Sequence, residues 1–276
     1  MKKFLINLFL FAIIHQCVFY AKPLYLLYTN QYKFTVAGNE VYKAIEKSKK
    51  KKKKKKILIG DSIANQMFFV DSTEKENFSY IATNQAISMA GQFILINNLI
   101  ESGNKIDTLL IIFSPFSFSN NLDQKFTYHY FIKPFYTDQN IDLFTENTLL
   151  QIKKIPYVYL KNNPFVLTSN WAPGFVSNDI NNFSFLSPTS KDYLQKIKEL
   201  SVKFNFKIKI ISPPLNIKNK PLIEKMNMEE ITNNHFDELF EGYIDHIIYL
   251  EEKCFIDGVH LKNPKNFADY YFKHFL

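Results

Sequence analysis

Ile57-Leu58-Ile59-Gly60-Asp61-Ser62 decides how this chain is read: a short aliphatic run that empties into a glycine, an acid and a hydroxyl. Consecutive apolar residues bounded by Gly-Asp predict a short strand buried on both faces. The serine then stands where the strand leaves its sheet. Far away in sequence, Asp257-Gly258-Val259-His260 sets a carboxylate and an imidazole three residues apart. A serine hydroxyl is a weak nucleophile at neutral pH. It needs a base to take its proton, and that base needs a third group to fix its tautomer. Ser62, His260 and Asp257 are the side-chain types for such a relay, and the chemistry they point to is acyl transfer.

Outward from the first strand, apolar runs alternate with amphipathic segments. Phe78 to Thr83 reads as a second strand, and Asn84 is placed to cap a helix carrying Ile87, Phe93, Ile94, Ile96, Leu99 and Ile100, which stops at Ser102-Gly103. Thr108 to Phe113 is a continuous apolar run, the mark of a central strand. Thr189 or Ser190 opens a helix with Leu194, Ile197 and Leu200 on one face. Lys207 to Ile211 is a strand stopped by Pro213-Pro214, Ile247 to Leu250 is a last short strand, and Asn263-Pro264 opens a terminal helix. Strand and helix in alternation predict an α/β protein: a three-layer α/β/α sandwich around a mostly parallel sheet. The stretch 114–188 breaks the rhythm with a dense set of aromatics and reads as an insertion after the third strand, at the sheet edge where open α/β folds bind ligands. Phe116 and Trp171 are its candidate substrate contacts. The aromatics either form a lid or platform for sugar rings or an acyl chain, or simply pack the insertion onto the sandwich.

The two polar blocks resemble those of the SGNH or GDSL-like hydrolase superfamily, in which the first carries the nucleophilic serine after strand one and the last, Asp-x-x-His, carries the other two members of the triad. Gly60-Asp61-Ser62 and Asp257-Gly258-Val259-His260 match in order and setting, over about residues 55–276. The resemblance implies a flavodoxin-like sandwich with Ser62 as nucleophile, His260 as base and Asp257 as its orienting group. The N–H of Ser62, close to a helix start, is one oxyanion donor. Where the family has a glycine donor, this chain has Asn84-Gln85-Ala86-Ile87-Ser88-Met89-Ala90-Gly91, with Met89 and Gly91 as candidates. The family's Gly-x-Asn-Asp is replaced by Ser114-Pro115-Phe116-Ser117, so its asparagine donor has no counterpart. Exported members that modify cell-surface glycans are similar in keeping the outer blocks while altering the middle ones. The implied activity is a serine esterase or O-acyltransferase acting on an ester-linked acyl group, acetyl above all, of an envelope polysaccharide. Its partners would be an acylated glycan or similar ester and a membrane-bound acyl donor protein. The competing reading is a noncatalytic envelope protein of the same fold that binds glycan or a membrane partner.

Charge excludes a general nucleic-acid surface. The 276 residues carry 34 basic against 26 acidic side chains, an excess of eight, and one uninterrupted run, Lys49 to Lys56, contains eight lysines. The rest of the chain is neutral. The run is read either as a strip attracted to anionic lipid headgroups or an acidic polymer, or as a solvated linker. Lys2-Lys3 followed by an apolar stretch from Phe4 to Tyr20 predicts a signal peptide or membrane anchor over 1–27, hence an extracytoplasmic protein. Residues 28–56 follow as a linker and 57–276 as the hydrolase-like domain. Cys17 falls in the targeting segment, leaving Cys254 alone, so no internal disulfide is expected. The histidines lack metal-site spacing, and no Gly-rich phosphate loop is present, so no metal or cofactor is expected.

Overall fold

The computed structural model describes residues 2–28, 38–68, 78–83, 87–122, 127–153 and 184–275. In chain order its elements are α1 (Lys2–Tyr28), α2 (Gly38–Ser48), β1 (Lys56–Gly60), α3 (Ser62–Phe68), β2 (Phe78–Tyr80), α4 (Met89–Glu101), β3 (Thr108–Ile112), α5 (Glu146–Lys153), α6 (Pro188–Phe204), β4 (Lys207–Ile211), β5 (Leu215–Asn216), β6 (Tyr249–Leu250) and α7 (Pro264–Phe275), with shorter helical turns between them. Four strands form a parallel sheet in the order β2-β1-β3-β4. The pleat divides their side chains between two cores. Ile57, Ile59, Leu109, Ile111 and Ile210 pack with α2, α4 and α6 on one face. Leu58, Leu110, Ile112 and Ile211 pack with α3 and α7 on the other. The result is a three-layer α/β/α sandwich of the flavodoxin-like strand order, whose sequence reverses direction between β1 and β3.

Local chemistry sets the ends of the elements. A Cβ on Gly60 would stand 2.4 Å from both Ala64 Cβ and the Ile112 carbonyl oxygen, so only glycine lets α3 turn back this tightly over the sheet. Ser88 holds the N-cap position of α4, without a side-chain cap bond, and Asn84 lies outside the described residues. Ser187, two residues ahead of the predicted start, caps α6: its Oγ accepts from the Ser190 N–H at 3.0 Å, with Pro188 in the first helical position. At the other end Asn205 closes α6 in the left-handed region, φ 52°.

Two expectations are corrected. Part of the anticipated linker is helix α2, because Val41, Ala44 and Ile45 form an apolar stripe that is buried against the core. The last strand is shorter than anticipated and leaves the main sheet alone: Pro213-Pro214 ends β4, and β6 pairs in parallel with β5. Of the two roles anticipated for the insertion's aromatics, packing is the one that Phe118, Phe131 and Phe144 fill. Phe118 is fully buried and meets Phe113 and Phe240 edge to face with ring centroids 5.0 and 5.1 Å apart. Phe131 is fully buried against Gly91. Helix α1 exposes Phe4, Phe9, Phe11 and Ile14. Among the described residues no helix is long and apolar enough to cross a membrane.

Candidate active site

Ser62 is the first residue of α3, at the C-terminal edge of β1 beside the point where the strand order reverses. His260 comes to it from a tight loop near the other end of the chain. That loop is clasped by an antiparallel bridge between Phe255 and Leu261, both buried, and by Ile256 N–H donating to the His260 carbonyl at 2.7 Å. Gly258 takes the positive φ, 82°, that the reversal requires. Across the gap, Ser62 Oγ and His260 Nε2 are 3.0 Å apart, and His260 Nδ1 lies 2.7 Å from Asp257 Oδ2. With a carboxylate at Nδ1, that nitrogen carries the proton and donates, which leaves Nε2 to accept from the serine.

Asp257 is itself held. Its Oδ1 accepts the N–H groups of His260 at 2.8 Å and Val259 at 3.1 Å. Those bonds, the His260 backbone N–H foremost and then its ring, hold the carboxyl down at about 2 although the side chain is 53% exposed. The group is therefore ionised across the working range of any esterase.

Two further residues complete the support. Gln66, one turn after Ser62 on α3, donates from Nε2 to the Leu261 carbonyl at 2.9 Å and accepts the Leu261 N–H on Oε1 at 2.9 Å. Helix α3 thus meets consecutive residues of the loop, Ser62 touching His260 and Gln66 clamping Leu261. In the sequence only its spacing of four from the serine signals the contact. Asp61 is buried at the switch point, where Oδ1 accepts the Ile63 N–H at 3.1 Å and Oδ2 accepts the Ser117 hydroxyl at 2.8 Å. Burial pushes its carboxyl above the ordinary aspartate range against the pull of those donors. Asp61 shapes the turn, as expected of Asp beside a glycine, and also ties it to the start of the segment after β3.

The remaining candidates divide. Gly91 cannot serve an oxyanion: its N–H is already given to the Ser88 carbonyl at 2.9 Å. Met89 opens α4, where backbone N–H groups lack helical acceptors, and its side chain is fully buried. Phe116 is half-buried and packs against the buried cluster of Leu215, Ile223 and Ile247. Trp171 lies outside the described residues. Missed by the sequence reading, Ile256, next to Asp257, and Val259, next to His260, are apolar side chains with 67% and 49% of their surface exposed. Among the described residues no cluster of three or more His, Cys, Asp or Glu is set to hold a metal ion.

The chain matches no protein-family model and no curated protein. Among solved structures it is similar to a protein from Streptococcus pneumonia provisionally described as a platelet activating factor, with TM-score 0.38 and 12% identity over 90% of this chain and 98% of that one.

Proposed function

We propose that this chain is an extracytoplasmic serine hydrolase or acyltransferase of the SGNH type, removing or transferring an ester-linked acyl group on an envelope polysaccharide. The observation that carries the reading is the chain of contacts Ser62 Oγ, His260 Nε2, His260 Nδ1, Asp257 Oδ2, with separations of 3.0 and 2.7 Å. Ser62 attacks the acyl carbonyl while its proton passes to His260 Nε2. The imidazolium so formed is stabilised by Asp257, and the same proton goes to the departing sugar oxygen. An acyl–Ser62 ester results, released by water in hydrolysis or by a sugar hydroxyl in transfer. The Ser62 N–H and the start of α4 at Met89 are the donors assigned to the oxyanion. Acetyl is the acyl group that the family resemblance favours.

A second reading has its own observation. The Gly91 N–H is spent within α4, and Ser117, in the block where the family keeps its asparagine, is turned to Asp61. A noncatalytic envelope protein of the same fold would tolerate both. A fluorophosphonate probe separates the readings: the catalytic one expects stoichiometric labelling that Ser62→Ala abolishes. Folded protein that takes no label, or takes it equally in the variant, overturns it.

A further inference from the structure

The eight lysines are held by the fold. The Lys52 N–H donates to Asn104 Oδ1, Asn104 Nδ2 donates to the Lys50 carbonyl at 3.2 Å, and the Asp107 N–H donates to the Lys55 carbonyl at 2.9 Å before Lys56 starts β1. The turn between α4 and β3 therefore pins the run at three points, while the side chains of Lys49, Lys50, Lys51, Lys53 and Lys55 stay exposed. Because the sheet is parallel, every strand starts at this end. The Lys207 N–H donates to the Asp107 carbonyl at 3.0 Å, which sets Lys55, Asp107 and Lys207 side by side, and exposed Lys105 and Lys203 stand next to them in sequence.

Little on the surface neutralises this concentration. Glu46 and Asp107 lie 3.7 and 3.8 Å from Lys49 and Lys55, in pairs whose side chains are all at least 41% exposed, where an ion pair contributes little. Glu101 and Glu199 are further acids close by in sequence. A fixed cluster of like charge stores a positive potential that an external anion relieves. Its chemistry is plain charge: the sequence contains no arginine, so no planar fork reads a particular anion.

One more feature of the same end selects the partner. Where α6 runs out toward β4, Val202 is 76% exposed and Phe204 45% exposed, with Lys203 Nζ 5.3 Å from the Phe204 ring. A soluble polyanion gives these apolar side chains nothing to enter, whereas a bilayer interface takes lysines at its headgroups and short apolar groups just below them. We infer that the strand-start end of the sheet is a docking surface for an anionic lipid bilayer. Ser62 lies at the opposite end of a five-residue strand, roughly 16 Å away, and so faces away from that surface.

The full chain is tested by co-sedimentation with vesicles of phosphatidylcholine alone or of an equimolar mixture with phosphatidylglycerol. Whatever α1 and Lys2-Lys3 contribute is common to every variant. Expected is a preference for the anionic vesicles that fades as salt is raised, and a loss of about a hundredfold in partition for the triple change Lys51→Gln, Lys53→Gln, Lys55→Gln. Val202→Ser with Phe204→Ser weakens binding by about tenfold without altering the salt dependence. Equal partition onto both vesicle types, or a lysine variant that binds like the parent, overturns the inference. So does an apolar double variant that binds like the parent while soluble dextran sulfate competes fully, which reassigns the surface to a polymer. All five positions are exposed, so thermal melting and fluorophosphonate labelling stay at parental values, and failure here leaves the hydrolase reading untouched.

Discussion

Asp61 and Asp257 are carboxylates on either side of the Ser62–His260 contact, and their surroundings are inverted. Asp61 is buried, bonded to Ser117 and Ile63, and raised by burial. Asp257 is open to solvent, bonded to its own loop and to His260, and lowered to about 2. The buried one holds shape: it ties the strand-to-helix turn at Ser62 to the segment after β3. The exposed one holds a tautomer, and its loop costs the fold little. Stability and chemistry are thus assigned to different carboxylates.

The sharpest way to break that division is to remove each in turn. Asp257→Asn keeps the loop's size but offers His260 Nδ1 the wrong partner, and the rate of ester cleavage falls on the order of 10³–10⁴-fold with a smaller drop in urea midpoint than any change at Asp61 causes. Asp61→Ala leaves the Ile63 N–H and the Ser117 hydroxyl buried without an acceptor, and destabilises by about 2–4 kcal/mol in denaturant titration. Equal stability losses for the two variants would dissolve the distinction.

Gln66 lies between the two regions, and its effect is intermediate. Both of its hydrogen bonds go to Leu261, so Gln66→Met, which fills the same space with neither bond, frees the His260 loop without emptying the core. A loss of about ten- to a hundredfold in kcat with KM little changed is expected, as for a base displaced by up to about an ångström. If Gln66→Met lowers stability but leaves kcat alone, Gln66 is a packing residue.

How far these residues could be read in advance depends on the range of the contact. The strands of the sheet were legible because Ile57 to Ile59, Thr108 to Phe113 and Lys207 to Ile211 are short apolar runs with turn residues at their ends, and such patterns are local. The approach of Ser62 to His260 was legible from side-chain chemistry, a hydroxyl that needs a base and a base that needs an orienting acid, and from the resemblance carried by Gly60-Asp61-Ser62 and Asp257-Gly258-Val259-His260. Helix α2 was hidden because an eight-lysine run beside it dominates the composition, while the informative residues, Val41, Ala44 and Ile45, are few. Gln66 and Leu261 bond across 195 positions through a backbone amide and carbonyl, groups every residue carries, so no residue type marks the partner. Gly91 was misjudged for a similar reason: whether its N–H is free depends on whether α4 starts at Met89 or after it, and helix starts are fixed by a turn or less.

The smallest effect is also the one that compares the two carboxylates most directly, because it reads opposite signs from one measurement. Asp61 is raised in the fold, so its contribution is fully present below the ordinary aspartate value of 3.8 and is lost as pH climbs through the raised value; stability from this group falls with pH. Asp257 is lowered to about 2, so its contribution is present above 3.8 and is lost as pH falls through about 2; stability from this group rises with pH. Solvent screening at the exposed Asp257 makes its slope the shallower one. Urea midpoints measured from acid to neutral pH for the parent, Asp61→Asn and Asp257→Asn isolate each slope as a difference. The Asp61 difference must decline above pH 3.8 and the Asp257 difference must grow between about 2 and 3.8. Two slopes of the same sign would mean that the surroundings of the two groups are alike, and that neither burial nor the loop's N–H groups act on them as the geometry requires.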